Sequence, residues 1–160
     1  MLFLVNMFWL EDGDEPHHWV GYALFAILTV RLIWAFVGRK TARLKDFYPS
    51  VSRVKHHWQL VKQRQADPQE GHNPLGGLMI LLLWLSLIVS SVSGYMYTTD
   101  MFWGEDWVEL LHFYSVWFTM GAVVLHVSAV IFLQFWLKLS LILPMISGSR
   151  KIKSATKSDI

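Results

Sequence analysis

The sequence contains no cysteine, and charged residues make up only 16% of its 160 positions. Without cysteine, the chain can form neither a disulfide nor an iron–sulfur cluster, and it has no thiolate nucleophile. A soluble domain carries about 25% charged residues, whereas a disordered chain has few apolar ones. The hydrophobic share is 54%, with nine Trp and ten Phe. This composition therefore predicts an integral membrane protein.

Three apolar segments are long enough to cross a bilayer, which takes about 20 residues of helix. They cover residues 19–37, 75–97 and 110–137, and each should be helical because lipid offers the backbone no other hydrogen-bond partner. The apolar residues 1–10 show no cleavable signal peptide, and as a helix they would reach about half-way across the hydrocarbon. We predict one domain over residues 1–160. It is an all-α integral membrane bundle of three transmembrane helices plus this short N-terminal remnant of a fourth.

Charged residues separate by side of the predicted membrane. The connection at residues 38–74 and the C-terminal tail carry basic residues: Arg39, Lys40, Arg43, Lys45, Arg53, Lys55, Lys62, Arg64, Arg150, Lys151, Lys153 and Lys157. The opposite side carries acidic residues and no basic one: Glu11, Asp12, Asp14, Glu15, Asp100, Glu105, Asp106 and Glu109. The positive-inside rule predicts a cytoplasmic connection and C-terminus and an N-terminus on the outer side.

Two histidines lie within the third apolar segment. His112 and His126 are 14 residues apart, so on a helix they point about 40° apart and lie about 21 Å apart along the axis. An ionisable side chain inside a membrane indicates a functional site, although a lone histidine can also be a hydrogen-bond partner between helices. The spacing is too long for one metal ion and suits two large cofactors stacked across the bilayer.

A second pair of histidines, His17 and His18, follows Pro16 and opens the first segment on the same outer side as His112. Two imidazoles on facing helices with a planar gap between them favour bis-histidine haem ligation in a bundle. Without cysteine, such a haem would be held without covalent bonds. Adjacent helical residues point about 100° apart, so only one of His17 and His18 would be the ligand opposite His112.

Arg31 lies 14 residues after His17, on the same predicted helix face and near the predicted depth of His126. A buried arginine needs an anionic partner, and the three apolar segments contain no Asp or Glu. A haem propionate is one such partner. The alternative is that Arg31 extends its side chain to the cytoplasmic interface.

Two other groups of residues are interpreted as structural rather than as ligands. Small residues recur along one face of the second segment, which predicts close helix packing with a ligand path as the minor alternative: Ser86, Ser90, Ser93 and Gly94. Three histidines of the 38–74 connection are expected to be solvated loop residues: His56, His57 and His72.

A series of short motifs, in order along nearly the whole chain, resembles the bacterial cytochrome b561 family. The likeness is to the branch of b-type cytochrome subunits of nickel–iron hydrogenases. The motifs are residues 17–22 (HHWVGY), 31–34 (RLIW), Gly38, 71–76 (GHNPLG), 98–104 (TTDMFWG), 111–112 (LH), 125–127 (LHV) and 144–148 (PMISG).

This resemblance implies four helices and two b haems. It implies that His17, rather than His18, pairs with His112 at the outer haem, and that His126 holds the inner haem with a histidine of the family's first helix. Here only residues 1–10 correspond to that helix, and no histidine precedes His17. Three alternatives follow: an upstream extension of the chain, a helix from another membrane subunit, or an inner site that is empty or singly ligated.

The expected function is electron transfer by a b-type haem protein in the bacterial inner membrane, rather than that of a stand-alone enzyme. Electrons would pass between a quinone or a periplasmic redox protein and a partner subunit. One alternative is a quinone-coupled oxidoreductase acting on a small species at the outer haem. Another is a haem-poor accessory subunit that anchors a larger complex. No nucleic-acid partner is expected.

Overall fold

The computed structural model describes residues 1–38, 50–63 and 74–137. Over these ranges it has five helices and no strand: α1 (Leu2–Phe8), α2 (Glu15–Val37), α3 (Val51–Lys62), α4 (Pro74–Tyr97) and α5 (Asp106–Leu137). The predicted all-α fold class is confirmed. His72 and the basic C-terminal tail lie outside the described residues.

Helices α2, α4 and α5 are the three that are long and apolar enough to cross a membrane within the described ranges. α4 begins one residue before its predicted segment, whereas α2 and α5 each begin four residues before theirs. Their extra first turns contain Glu15, Asp106 and Glu109, and acidic side chains there interact favourably with the helix dipole. Hydropathy marks the part of a helix that lies in lipid, so it missed these polar turns.

α4 lies between the other two long helices, packing along α5 and also contacting α2. Its predicted small-residue face is buried, since Ser86, Ser90 and Ser93 are 5%, 6% and 1% exposed. Their hydroxyls donate to carbonyls of their own helix, as Ser90 Oγ does to Ser86 O at 3.0 Å. On α5, the buried Thr119 donates in the same way to Ser115 O at 2.8 Å. Small side chains with internally satisfied hydroxyls let the two backbones approach closely.

A short turn reverses the chain between α4 and α5 and keeps the start of α5 beside the end of α4. Within it, Phe102 N–H donates to Thr99 O and Glu105 N–H donates to Phe102 O. Gly104 has φ of +78°, a left-handed conformation that glycine adopts without steric cost. Because of this reversal, α2 and α5 begin at the same end of the bundle, and we call this the N-terminal end.

Helix α3 lies within the 38–74 connection and was not predicted from the sequence. Ser50 caps its start by accepting a hydrogen bond from Arg53 N–H at 3.2 Å. At its other end, Trp136 Nε1 donates to Val61 O at 3.0 Å, which fixes α3 against the end of α5. His56 is exposed as expected. The expectation of a solvated His57 was wrong: its side chain is 4% exposed, because it lies on the packed face of a helix rather than in a loop.

Candidate functional site

The structure brings His17 and His112 together at the N-terminal end of the bundle. Their ring centres lie 6.4 Å apart with an interplanar angle of 75°. His17 is in the first turn of α2, directly after Pro16, and His112 is in the second turn of α5. Only 17% of the His17 side chain is exposed. Two helices that start side by side thus place one imidazole each at the same depth.

His18 contacts the ring of His17. Its ring lies edge-on to His17, with ring centres 6.2 Å apart and an interplanar angle of 83°. The side chain is partly exposed. Of the two adjacent histidines, His17 is therefore the one whose ring contacts His112.

His112 is held by α4 through its Nδ1 atom. Nδ1 lies 2.9 Å from the carbonyl oxygen of Ser90 and 3.3 Å from Ser93 Oγ. A backbone carbonyl can only accept, so Nδ1 carries the proton and donates it, and Nε2 retains its lone pair. This is the usual arrangement of a metal-ligating histidine, whose second ring nitrogen donates to a carbonyl or carboxylate.

Gly94 lies directly against the ring of His112. A Cβ at this position would be 2.8 Å from His112 Cε1 and 3.1 Å from Nδ1, closer than carbon and nitrogen atoms approach without bonding. Sequence reasoning assigned Ser90, Ser93 and Gly94 to helix packing, with a ligand path as the minor alternative, and missed their contact with His112. Their shared face was visible in the sequence, but the register of α4 against α5 was not.

His17 has a less complete polar environment than His112. Its Nδ1 atom is buried and has no hydrogen-bond partner among the described residues. The nearest charged group is the carboxylate of Asp12, whose Oδ1 lies 3.8 Å away on a side chain that is 96% exposed. This distance exceeds a hydrogen bond, so the carboxylate acts on the ring through its charge.

The separation of the two ring centres allows both imidazoles to bind one metal ion. Imidazole nitrogen–metal bonds are about 2 Å long, which puts the centres of two opposed rings about 6 Å apart, close to the observed 6.4 Å. Within the described ranges, no group of three or more His, Asp or Glu side chains could hold a metal ion. If the site holds a haem, the two imidazoles would be the protein ligands of its iron.

Arg31 and His126 lie further along α2 and α5. The guanidinium carbon of Arg31 is 5.3 Å from the centre of the Trp84 ring on α4, a contact that sequence reasoning did not foresee. Its Nη1 atom is buried and lacks a hydrogen-bond partner among the described residues. His126 is partly exposed, and no ring of another described histidine contacts it. Among the described residues, His112 therefore has a second histidine ring beside it and His126 does not.

Three long apolar helices define this molecule as a multi-pass helical membrane protein with a pair of facing imidazoles at one end. Comparison with known families takes the assignment further. The chain belongs to the prokaryotic cytochrome b561 family, whose model matches residues 2–148. Membership implies a b-type haem and electron transfer within a membrane.

Two curated proteins resemble the chain over most of its length. Both are named probable Ni/Fe-hydrogenase B-type cytochrome subunit, one from Rhizobium leguminosarum bv. viciae and one from Azotobacter vinelandii. Each is 25% identical over 162 aligned residues, which cover 86% of this chain and 68% of the relative. No solved structure matches the chain.

Proposed function

We propose that this protein transfers electrons through a b haem ligated by His17 and His112. The observation that carries the proposal is the 6.4 Å separation of the two ring centres. When bound, the haem supplies reversible one-electron chemistry, while the protein sets its position and potential. The family and the names of the relatives support the same class of function.

In this proposal, the two histidines act from opposite helices. Donation from His112 Nδ1–H to Ser90 O leaves Nε2 free to bind iron. His17 supplies the second imidazole from α2, and its low exposure of 17% limits the access of water to the ligand. The two partly buried rings would hold the haem iron from both helices, and the haem would supply electron transfer there.

Arg31 is proposed to bind an anionic haem propionate. A charged side chain inside a membrane is costly unless it is paired, and the unpartnered Nη1 supports an anion supplied from outside the described residues. The guanidinium lies over the Trp84 ring, and its N–H groups can still donate to such a partner.

A second bis-histidine haem would need one more histidine ligand than the described residues supply. His126 offers one imidazole, and α1 ends at Phe8 without a histidine. We infer that these residues hold one bis-histidine haem and one ligand of a second. A helix from a partner membrane subunit is one source of the missing ligand.

The proposed setting is the bacterial inner membrane, with the N-terminus periplasmic and the C-terminus cytoplasmic. The charge separation of the sequence supports this orientation. Electrons would then pass between the quinone pool and a periplasmic redox subunit docked at the acidic N-terminal end. The names of the hydrogenase cytochrome relatives support a redox enzyme as that partner.

Haem quantification on single variants tests the ligand assignment. Wild type and the His17→Ala, His18→Ala and His112→Ala variants are purified in detergent, and haem b per chain is measured with the low-spin absorption spectrum. We expect His17→Ala and His112→Ala to lose the low-spin signal and His18→Ala to keep it. Loss in His18→Ala with retention in His17→Ala would overturn the choice of ligand. Wild type without stoichiometric haem would instead indicate an anchoring subunit.

A further inference from the structure

We infer that Ser90, Ser93 and Gly94 of α4, here called the His112 cradle, are positioning residues that set the ring orientation and redox potential of the proposed haem ligand. This inference rests on the proposed function, because it assigns a role to residues that touch His112 rather than to the ligands themselves. It goes beyond helix packing, which any small residues could provide.

The first component of the cradle is a backbone carbonyl. Ser90 O accepts from His112 Nδ1–H at 2.9 Å, and Ser90 is 6% exposed. A hydrogen bond in so dry an environment is stronger than one in water. It fixes which nitrogen carries the proton and so which nitrogen faces a metal.

The second component is Gly94, which has no side chain to block the imidazole. A helical carbonyl points along the axis toward the residue four positions later, so a ring that reaches Ser90 O must pass over position 94. A Cβ there would come within 2.8 Å of His112 Cε1. Gly94 is therefore what gives the imidazole access to the carbonyl.

The third component is the hydroxyl of Ser93, a residue that is 1% exposed. Ser93 Oγ donates to Val89 O at 2.7 Å and lies 3.3 Å from His112 Nδ1. The hydroxyl proton is donated to carbonyls of its own helix, Val89 O and Ser90 O, the latter at 3.1 Å, which leaves an oxygen lone pair for Nδ1–H. The imidazole proton thus has two acceptors on one helix.

Two acceptors on Nδ1–H make the imidazole a more basic ligand. A more electron-rich ligand stabilises the oxidised form of the iron over the reduced form and lowers the midpoint potential. The same contacts hold the ring plane at one angle, which determines the g-values of a low-spin ferric centre. Packing alone would affect stability and leave both properties unchanged.

The test uses full-length protein purified with its haem, and it compares Gly94→Ala with Gly121→Ala. Gly121 is a matched control because a Cβ there meets nothing within 4 Å. We expect Gly94→Ala to keep haem but to show a positive shift of midpoint potential and a changed largest g-value. Gly121→Ala should match wild type. A folded Gly94→Ala that keeps haem with unchanged potential and g-values would overturn the inference.

Ser93→Ala provides a second measurement should Gly94→Ala fail to fold. It removes one acceptor without adding bulk, so a smaller positive shift in potential is expected. Ser86→Ala is its control, since Ser86 is equally buried on the same face but its hydroxyl bonds to Leu83 O. Equal potentials in Ser93→Ala, Ser86→Ala and wild type would contradict the cradle. Failure of the ligand assignment is distinguishable, because His112→Ala would then retain the low-spin signal.

Discussion

The guanidinium of Arg31 lies over the face of Trp84, with 5.3 Å between Cζ and the ring centre. This contact joins α2 to α4 inside the apolar part of the bundle. A cation over an indole ring gains about 0.5–2 kcal/mol, which is less than the cost of an unpaired charge in lipid. This difference supports the proposed anionic partner of Arg31.

Replacing Arg31 should weaken haem retention. We expect Arg31→Ala to lose haem during purification or dilution, because the proposed propionate would then lack its cationic partner in an apolar environment. Arg31→Lys should retain more haem, since it keeps the charge but not the planar fork. The measurement is the haem-to-chain ratio. An Arg31→Ala variant with full, stable haem would show that Trp84 and lipid interface contacts suffice for this side chain.

The carboxylate of Asp12 should lower the midpoint potential of the haem that His17 and His112 are proposed to bind. Its Oδ1 lies 3.8 Å from His17 Nδ1, so Asp12→Asn removes a negative charge beside the proposed ligand and should raise the midpoint potential slightly. Because Asp12 is 96% exposed, salt should screen the effect. Redox titrations at low and high ionic strength measure it, with Glu11→Gln as the control for general surface charge. Equal shifts in both variants would remove any specific role for Asp12.

The close contact between α4 and α5 should not tolerate a larger side chain. Thr119 on α5 is fully buried, and Thr119→Leu should destabilise the bundle by about 1–3 kcal/mol through overpacking. Thr119→Ser, which keeps the hydroxyl bond to Ser115 O, should be much milder. Thermal unfolding in detergent, followed by circular dichroism, compares the two. A Thr119→Leu protein as stable as wild type would mean that the interface is looser than described.

The charge distribution predicts the orientation of the chain. A reporter that is active only in the cytoplasm, fused after Ile160, should be active, and one that is active only in the periplasm should be silent. Moving the same reporters to the N-terminus should reverse the result. Periplasmic activity at the C-terminal fusion would overturn the orientation and place the acidic end of the bundle in the cytoplasm.

The three long helices could be predicted from the sequence, because a long apolar segment in lipid must satisfy its own backbone hydrogen bonds and does so as a helix. It also predicted that one of His17 and His18 lies at a similar depth to His112, because their helices start on one side, and the family resemblance favoured His17. The contacts of Ser90 and Gly94 with His112 depend on how α4 is rotated and shifted against α5. Many small residues allow several such registers, so no sequence pattern specified this one.

Helix α3 and His57 escaped prediction for a different reason. The helix is short and rich in basic residues, so hydropathy gives no signal for it. Its position depends on contacts with distant parts of the chain, which include the packing of α3 against α4 and the hydrogen bond from Trp136 Nε1 to Val61 O, between residues 75 positions apart in the sequence. Burial of His57 follows from that docking and not from its neighbours in the chain.

The most direct test of the account is the near-infrared magnetic circular dichroism of the purified, oxidised protein, which identifies the axial ligands of a low-spin haem. Ligation by His17 and His112 predicts the charge-transfer band of a bis-histidine haem. A band of histidine–methionine ligation, or a high-spin five-coordinate spectrum with no low-spin component, would contradict it.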